Sequence, residues 1–85
     1  LHWLHQNGVI HHDLKPGNIF INHRGNCVIG DFGASRLIVA GKHFSSSDKS
    51  LICTPEFAAP ELLRRGARYD QAIDWWSLGV CLFKL

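Results

Sequence analysis

The stretch His11-His12-Asp13-Leu14-Lys15-Pro16-Gly17-Asn18, held between Val9-Ile10 and Ile19-Phe20-Ile21, decides how this 85-residue chain is read. The flanking β-branched runs read as short strands, so a polar loop is clamped at both ends. Within it stand a carboxylate, an ammonium and an amide, at Asp13, Lys15 and Asn18. Burying a charge without a partner is unfavourable, which makes a polar cluster on a clamped loop a site candidate.

Upstream of the loop, Leu1, Trp3 and Leu4 followed by Asn7-Gly8 read as the last turns of a helix closed by glycine, which takes a positive φ without a Cβ penalty. Downstream, Asn22-His23-Arg24-Gly25-Asn26 supplies turn residues between Ile19-Phe20-Ile21 and Cys27-Val28-Ile29, and a hairpin follows. Gly30-Asp31-Phe32-Gly33 comes next, a lone acid between an apolar strand and a glycine, Gly33, that is free to take unusual backbone angles. After Leu37-Ile38-Val39, the Gly-, Ser- and Lys-containing run 41–50 reads as a mobile surface loop. Pro55, Pro60 and Gly66 punctuate two short elements. Ala72, Ile73, Trp76, Val80 and Phe83 recur near helical spacing, and Trp75, Leu78 and Leu82 add apolar surface round the other side. Such a helix is expected to lie inside a larger core.

Composition narrows the classes. A chain of this length buries only about 60 to 65% of its unfolded surface, so it is expected to be marginal alone. Cys27, Cys53 and Cys81 are odd in number and form no CxxC pair. They fit reduced thiols of an intracellular protein, cytoplasmic or nuclear, and read as small apolar packers. A net charge of +2 with interspersed signs offers no basic stripe for nucleic acid. The longest apolar run is interrupted by Lys84 and is too short to span a bilayer. No basic region with a following apolar stretch and cleavage site marks a signal peptide. With Leu1 in first place and helix-like sequence at both ends, the chain reads as a piece of a larger protein.

A hairpin return can bring Asp31 back beside Asn18. Few oxygen ligands, partly carboxylate, suit Mg²⁺ completed by substrate phosphates, and Lys15 adds a point charge for a phosphoryl oxygen. Acids on loops are commonly just solvated surface, so spacing alone leaves both readings open.

The same residues resemble a known family. His11 to Asn18 is similar to the catalytic loop of eukaryotic protein kinases, H-R-D-L-x-x-x-N, and Asp31-Phe32-Gly33 to their D-F-G. Ala59-Pro60-Glu61 matches A-P-E, and Asp74-Trp75-Trp76-Ser77-Leu78-Gly79 resembles the start of the large buried C-lobe helix. The implied fold is α+β: a partial kinase-like C-lobe, mainly helical, with short hairpin strands around the catalytic loop. Residues 1–85 would be its central part, with the N-lobe and the later helices outside the chain.

By this resemblance Asp13 takes or orients the proton of the substrate hydroxyl, and Asn18 and Asp31 hold Mg²⁺ on the ATP phosphates. Lys15 contacts the migrating phosphoryl group, and Thr54 bonds to the catalytic aspartate and lysine, both features of serine/threonine kinases. Phe20 lies beneath adenine, and His11 and Phe32 fall at positions of the regulatory spine. Asp74 supports the catalytic loop through its backbone amides, whereas a bland reading makes it an N-terminal helix acid. Glu61 is expected to pair with an arginine farther along the lobe, which is not in this sequence.

Departures from the pattern imply more. His12 stands where an arginine commonly grips a phosphorylated residue, so activity is expected to depend weakly on phosphorylation of Ser50 or of neighbouring Ser45, Ser46 and Ser47. Cys53 replaces a common glycine, and Gly17 an acid that attracts substrate arginines. The expected function is ATP-dependent phosphorylation of protein Ser/Thr hydroxyls by the full-length protein, the isolated chain being inactive. A pseudokinase-like binding scaffold is the alternative. A metal site of His2, His5, His11 and His12 is disfavoured by spacing, these side chains reading as surface histidines.

Overall fold

The computed structural model describes residues 1–39, 44–45, 54–64 and 66–84. Helix α1, His2–Gln6, is closed as its sequence requires: Gly8 follows the C-cap Asn7 with φ +76°, and its N–H donates to His5 O at 3.1 Å. The chain then passes into β1, Val9–Ile10. The Gly8 carbonyl accepts from Ile38 N at 2.6 Å, so the helix end also seats the strand that returns beside it.

β1 pairs antiparallel with β4, Arg36–Leu37, whereas β2, Ile19–Ile21, pairs with β3, Cys27–Ile29. The two runs flanking the polar loop thus belong to different sheets. The loop is clamped at both ends, as expected, and bridges two sheets. Between them a 3₁₀ turn, Pro16–Asn18, starts on a proline that lacks the N–H a first-turn residue does not need. In the β2–β3 hairpin, Asn22 Oδ1 accepts the N–H groups of Arg24 and Asn26 at 2.9 and 3.0 Å, the local chemistry for which asparagine is favoured in turns.

A short strand β5, Phe44–Ser45, pairs antiparallel with β6, Arg68–Tyr69. This corrects the loop reading at those two positions: Phe44 is buried, and a buried aromatic fixes its backbone through packing that composition does not reveal. Between β5 and β6 lie a 3₁₀ turn, Pro55–Phe57, and helix α2, Pro60–Leu63, the two elements that the prolines predict. Ile10, Phe44, Ala58, Ala59, Leu62, Tyr69 and Ile73 form one buried apolar cluster. Burying each large member contributes about 1.5–3 kcal/mol before entropy is counted.

Helix α3, Ala72–Phe83, buries Ile73, Asp74, Ser77 and Cys81. Ser77 Oγ donates to Phe57 O at 2.7 Å and to Ile73 O at 3.1 Å, tying the helix to the 3₁₀ turn. Trp75, Trp76, Leu82 and Phe83 are exposed, because the described residues pack on one side of α3 only. Burial pushes the Cys81 thiol above its usual range, with a lesser opposing pull from its backbone hydrogen bond, and so keeps it protonated. Cys27 is exposed and is no packer. Cys53 lies outside the described residues. Among the described residues no helix is long and apolar enough to cross a membrane.

Candidate active site

Asp13 stands just after β1, and its carboxylate is the focus of the loop. Thr54 Oγ1 donates to Asp13 Oδ1 at 2.7 Å, and Lys15 Nζ donates to Thr54 Oγ1 at 3.1 Å. Lys15 Nζ also lies 3.7 Å from Asp13 Oδ2. One hydroxyl therefore relays between the acid and the ammonium, and residues forty-one positions apart share one site. The Asp13 side chain is 17% and that of Lys15 34% exposed, enough for an incoming group to reach both. An exposed ion pair of this length contributes under about 1 kcal/mol to stability, so stability alone does not account for the grouping.

Asn18 is buried, and its Nδ2 donates to the Asp13 carbonyl at 2.7 Å. With the amide nitrogen committed, its carbonyl oxygen remains as an acceptor. Gly30 N donates to Asn18 O at 2.9 Å, which sets Asp31 one residue beyond a direct link to Asn18. Asp31 is exposed and takes φ +54°, with Gly33 N donating to its Oδ1 at 3.3 Å. The left-handed residue of this turn is thus Asp31 and not Gly33. Aspartate tolerates that region because its short side chain bonds locally to the backbone. An amide oxygen and an exposed carboxylate are hard donors that fit Mg²⁺.

Phe20 lies over Gly30, where a Cβ would fall 2.7 Å from its ring, so glycine alone permits this approach. The ring is half exposed. His11 is fully buried; its Nδ1 accepts from Asp13 N at 3.1 Å, so Nε2 carries the proton donated to Gly30 O at 2.8 Å. This one imidazole spaces the loop of Asp13 from the strand leading to Asp31. Phe32 meets it edge-on, with centroids 5.2 Å apart.

Asp74 anchors the assembly from the first turn of α3. His11 N and His12 N donate to its Oδ2 and Oδ1 at 2.8 and 3.0 Å, and His5 Nε2 donates to Oδ2 at 2.9 Å. The carboxylate is 1% exposed, so its charge is met by these donors in place of water. The bland reading of Asp74 as a helix-end acid is insufficient. His5 was not expected in this role, and the surface reading of the histidines fails for His5, His11 and His12, all shielded from solvent, while His2 is exposed. No sequence signal separates His5 from His2; only the contact made by α1 across to α3 does. Tyr69 was missed as well: its hydroxyl lies 2.8 Å from His12 Nε2. Gly17 is exposed and Glu61 half-buried. Ser46, Ser47, Ser50 and Cys53 lie outside the described residues.

The chain is similar to known proteins over its whole length. The protein kinase domain model matches residues 1–85. Protein kinase C-like 1 of Candida albicans is 41% identical over 86 residues, serine/threonine-protein kinase YPK3 of Saccharomyces cerevisiae 40% over 92, and Protein kinase 3 of Dictyostelium discoideum 38% over 91. Each alignment covers the whole chain, which spans 7%, 17% and 10% of those relatives' lengths, respectively. The motifs, their order and the matched length leave one conclusion: the chain belongs to the protein kinase domain family.

Proposed function

We propose that the full-length protein carrying this chain transfers the γ-phosphoryl group of ATP to a serine or threonine hydroxyl of a protein substrate. The carrying observation is the Asp13–Thr54–Lys15 cluster, in which a partly exposed carboxylate is held by a hydroxyl and an ammonium. In this reading Asp13 accepts and orients the proton of the attacking hydroxyl, and Lys15 stabilises charge on the phosphoryl oxygens as the bond to the leaving diphosphate breaks. Asn18, through its amide oxygen, and Asp31, through its carboxylate, would hold Mg²⁺, which when bound neutralises phosphate charge. His11 fixes the spacing between these two halves, and Phe20 offers an apolar face to the adenine. A setting inside the cell fits ATP as donor and the free thiols of Cys27 and Cys81.

Transfer of labelled phosphate from ATP to a mixed Ser/Thr peptide pool tests the reading. The full-length protein should label peptides, and Asp31→Ala should reduce labelling by at least about 10²-fold, the scale of losing one preorganised electrostatic group. Specific ATP-independent capture of a partner, with no labelling by wild type, would favour the scaffold reading.

A further inference from the structure

Phe20 and Gly30 belong to the two arms of one hairpin. Phe20 lies opposite Val28 in the β2–β3 ladder, and Gly30 follows Val28 by two positions, so the pair share a face of the sheet as diagonal neighbours. A Cβ added at Gly30 would fall 2.7 Å from Phe20 Cε2 and 3.0 Å from Cδ2. Gly30 does not take a positive φ, so no left-handed conformation demands glycine there; what excludes a side chain is the ring. The backbone is held on both sides. Gly30 N donates to Asn18 O at 2.9 Å, and Gly30 O accepts from Nε2 of the fully buried His11 at 2.8 Å. Phe20, half exposed, is therefore the group with room to move. Asn18 stands two positions before it and Asp31 directly after Gly30, the amide oxygen and the carboxylate assigned above to Mg²⁺. An exposed aromatic ring beside hard oxygen donors suits a ligand with a flat base at one end and a polyphosphate at the other.

We infer that Gly30 is a positioning residue of the nucleotide site that acts through Phe20: the absence of a side chain at 30 fixes where the ring lies, and the ring is the surface on which the base stacks. The inference rests on the nucleotide reading of the site. Stacking of a base on an aromatic side chain changes affinity by about five- to 150-fold. A ring swung outward by a side chain at 30 loses its seat and enters the space of the base. Losing either partner therefore does the same damage, and losing both does no more, because the two residues form one energetic unit. Residues that acted independently would multiply their effects.

Calorimetric titration of the full-length protein with ADP and Mg²⁺, over Phe20→Ala, Gly30→Ala and the double variant, tests this, with melting midpoints measured in the absence of nucleotide. Each single variant is expected to weaken ADP binding by about tenfold, within the stacking range, and the double variant by about tenfold as well, where independent effects would give about a hundredfold. The KM for ATP should rise by a similar factor with kcat at saturating ATP nearly unchanged, since Asp13, Lys15, Asn18 and Asp31 are untouched; a general loss of folding would not produce that split. In the melts, Gly30→Ala should lower the midpoint of the protein that has Phe20 and leave that of the Phe20→Ala protein unchanged, because the ring it would strike is gone. Affinities that multiply, or a midpoint lowered equally in both backgrounds, would overturn the pairing. ADP bound equally by wild type and Phe20→Ala would remove the stacking surface. A wild type that binds no ADP would refute the nucleotide reading, and the melting midpoints would still decide whether Phe20 and Gly30 interlock.

Discussion

Asp13→Asn in the full-length protein is expected to lower kcat for phosphotransfer by about 10²–10⁴-fold, the contribution of a positioned general base. The fold should survive the change. An asparagine oxygen still accepts the Thr54 hydroxyl that now bonds Asp13 Oδ1 at 2.7 Å, and the backbone N–H of residue 13 still donates to His11 Nδ1. What disappears is the negative charge facing Lys15 and the capacity to take a proton. The KM for ATP should therefore change little, since Asn18 and Asp31 are untouched. Steady-state rates on a peptide substrate, with a melting curve run in parallel, check the split. A variant that keeps wild-type kcat would remove Asp13 from the mechanism.

The second large effect is at Asp74. Asp74→Ala strips the acceptor from His11 N, His12 N and the His5 ring at once. Each buried donor left without a partner costs about 1–3 kcal/mol. A loss of about 3 kcal/mol or more is therefore expected, in the tail of single-substitution effects. Function should fall further than stability, because the two amides released are those that shape the turn into Asp13, including His12 in its left-handed conformation. Asp74→Asn retains one oxygen but turns an amide toward a donor, so it should fall between. The midpoint of denaturant unfolding, with kcat measured well below it, reads both consequences. A midpoint unchanged in Asp74→Ala would mean that the carboxylate is not what holds the loop.

Much of this was legible from residue order. Gly8 closes α1, the Asn22–Asn26 turn makes the β2–β3 hairpin, and the prolines open the two short turns, because each depends on local backbone preferences. Asp13, Lys15, Asn18, Asp31 and Thr54 were legible as site candidates, and the structure brings Asp13, Lys15 and Thr54 into direct contact and sets Asn18 beside the backbone that leads to Asp31. Which side of α3 this chain covers was not legible, since helical spacing reports which residues are apolar and not what covers them. Gly33 was credited with a backbone angle that Asp31 takes, because an aspartate bonding its own turn competes with glycine for that conformation.

By itself, then, the sequence determined the family, the local turns and helix ends and the set of chemical groups at the candidate site, since these follow from motifs and short-range preference. Only the tertiary structure decided what the buried histidines do. His5 completes the shell of Asp74, His11 spaces the two halves of the site, and His12 bonds Tyr69. Those partners lie nineteen to sixty-nine positions away along the chain. A histidine's ring can donate, accept or pack with equal ease, so its role is set by the neighbour that folding supplies.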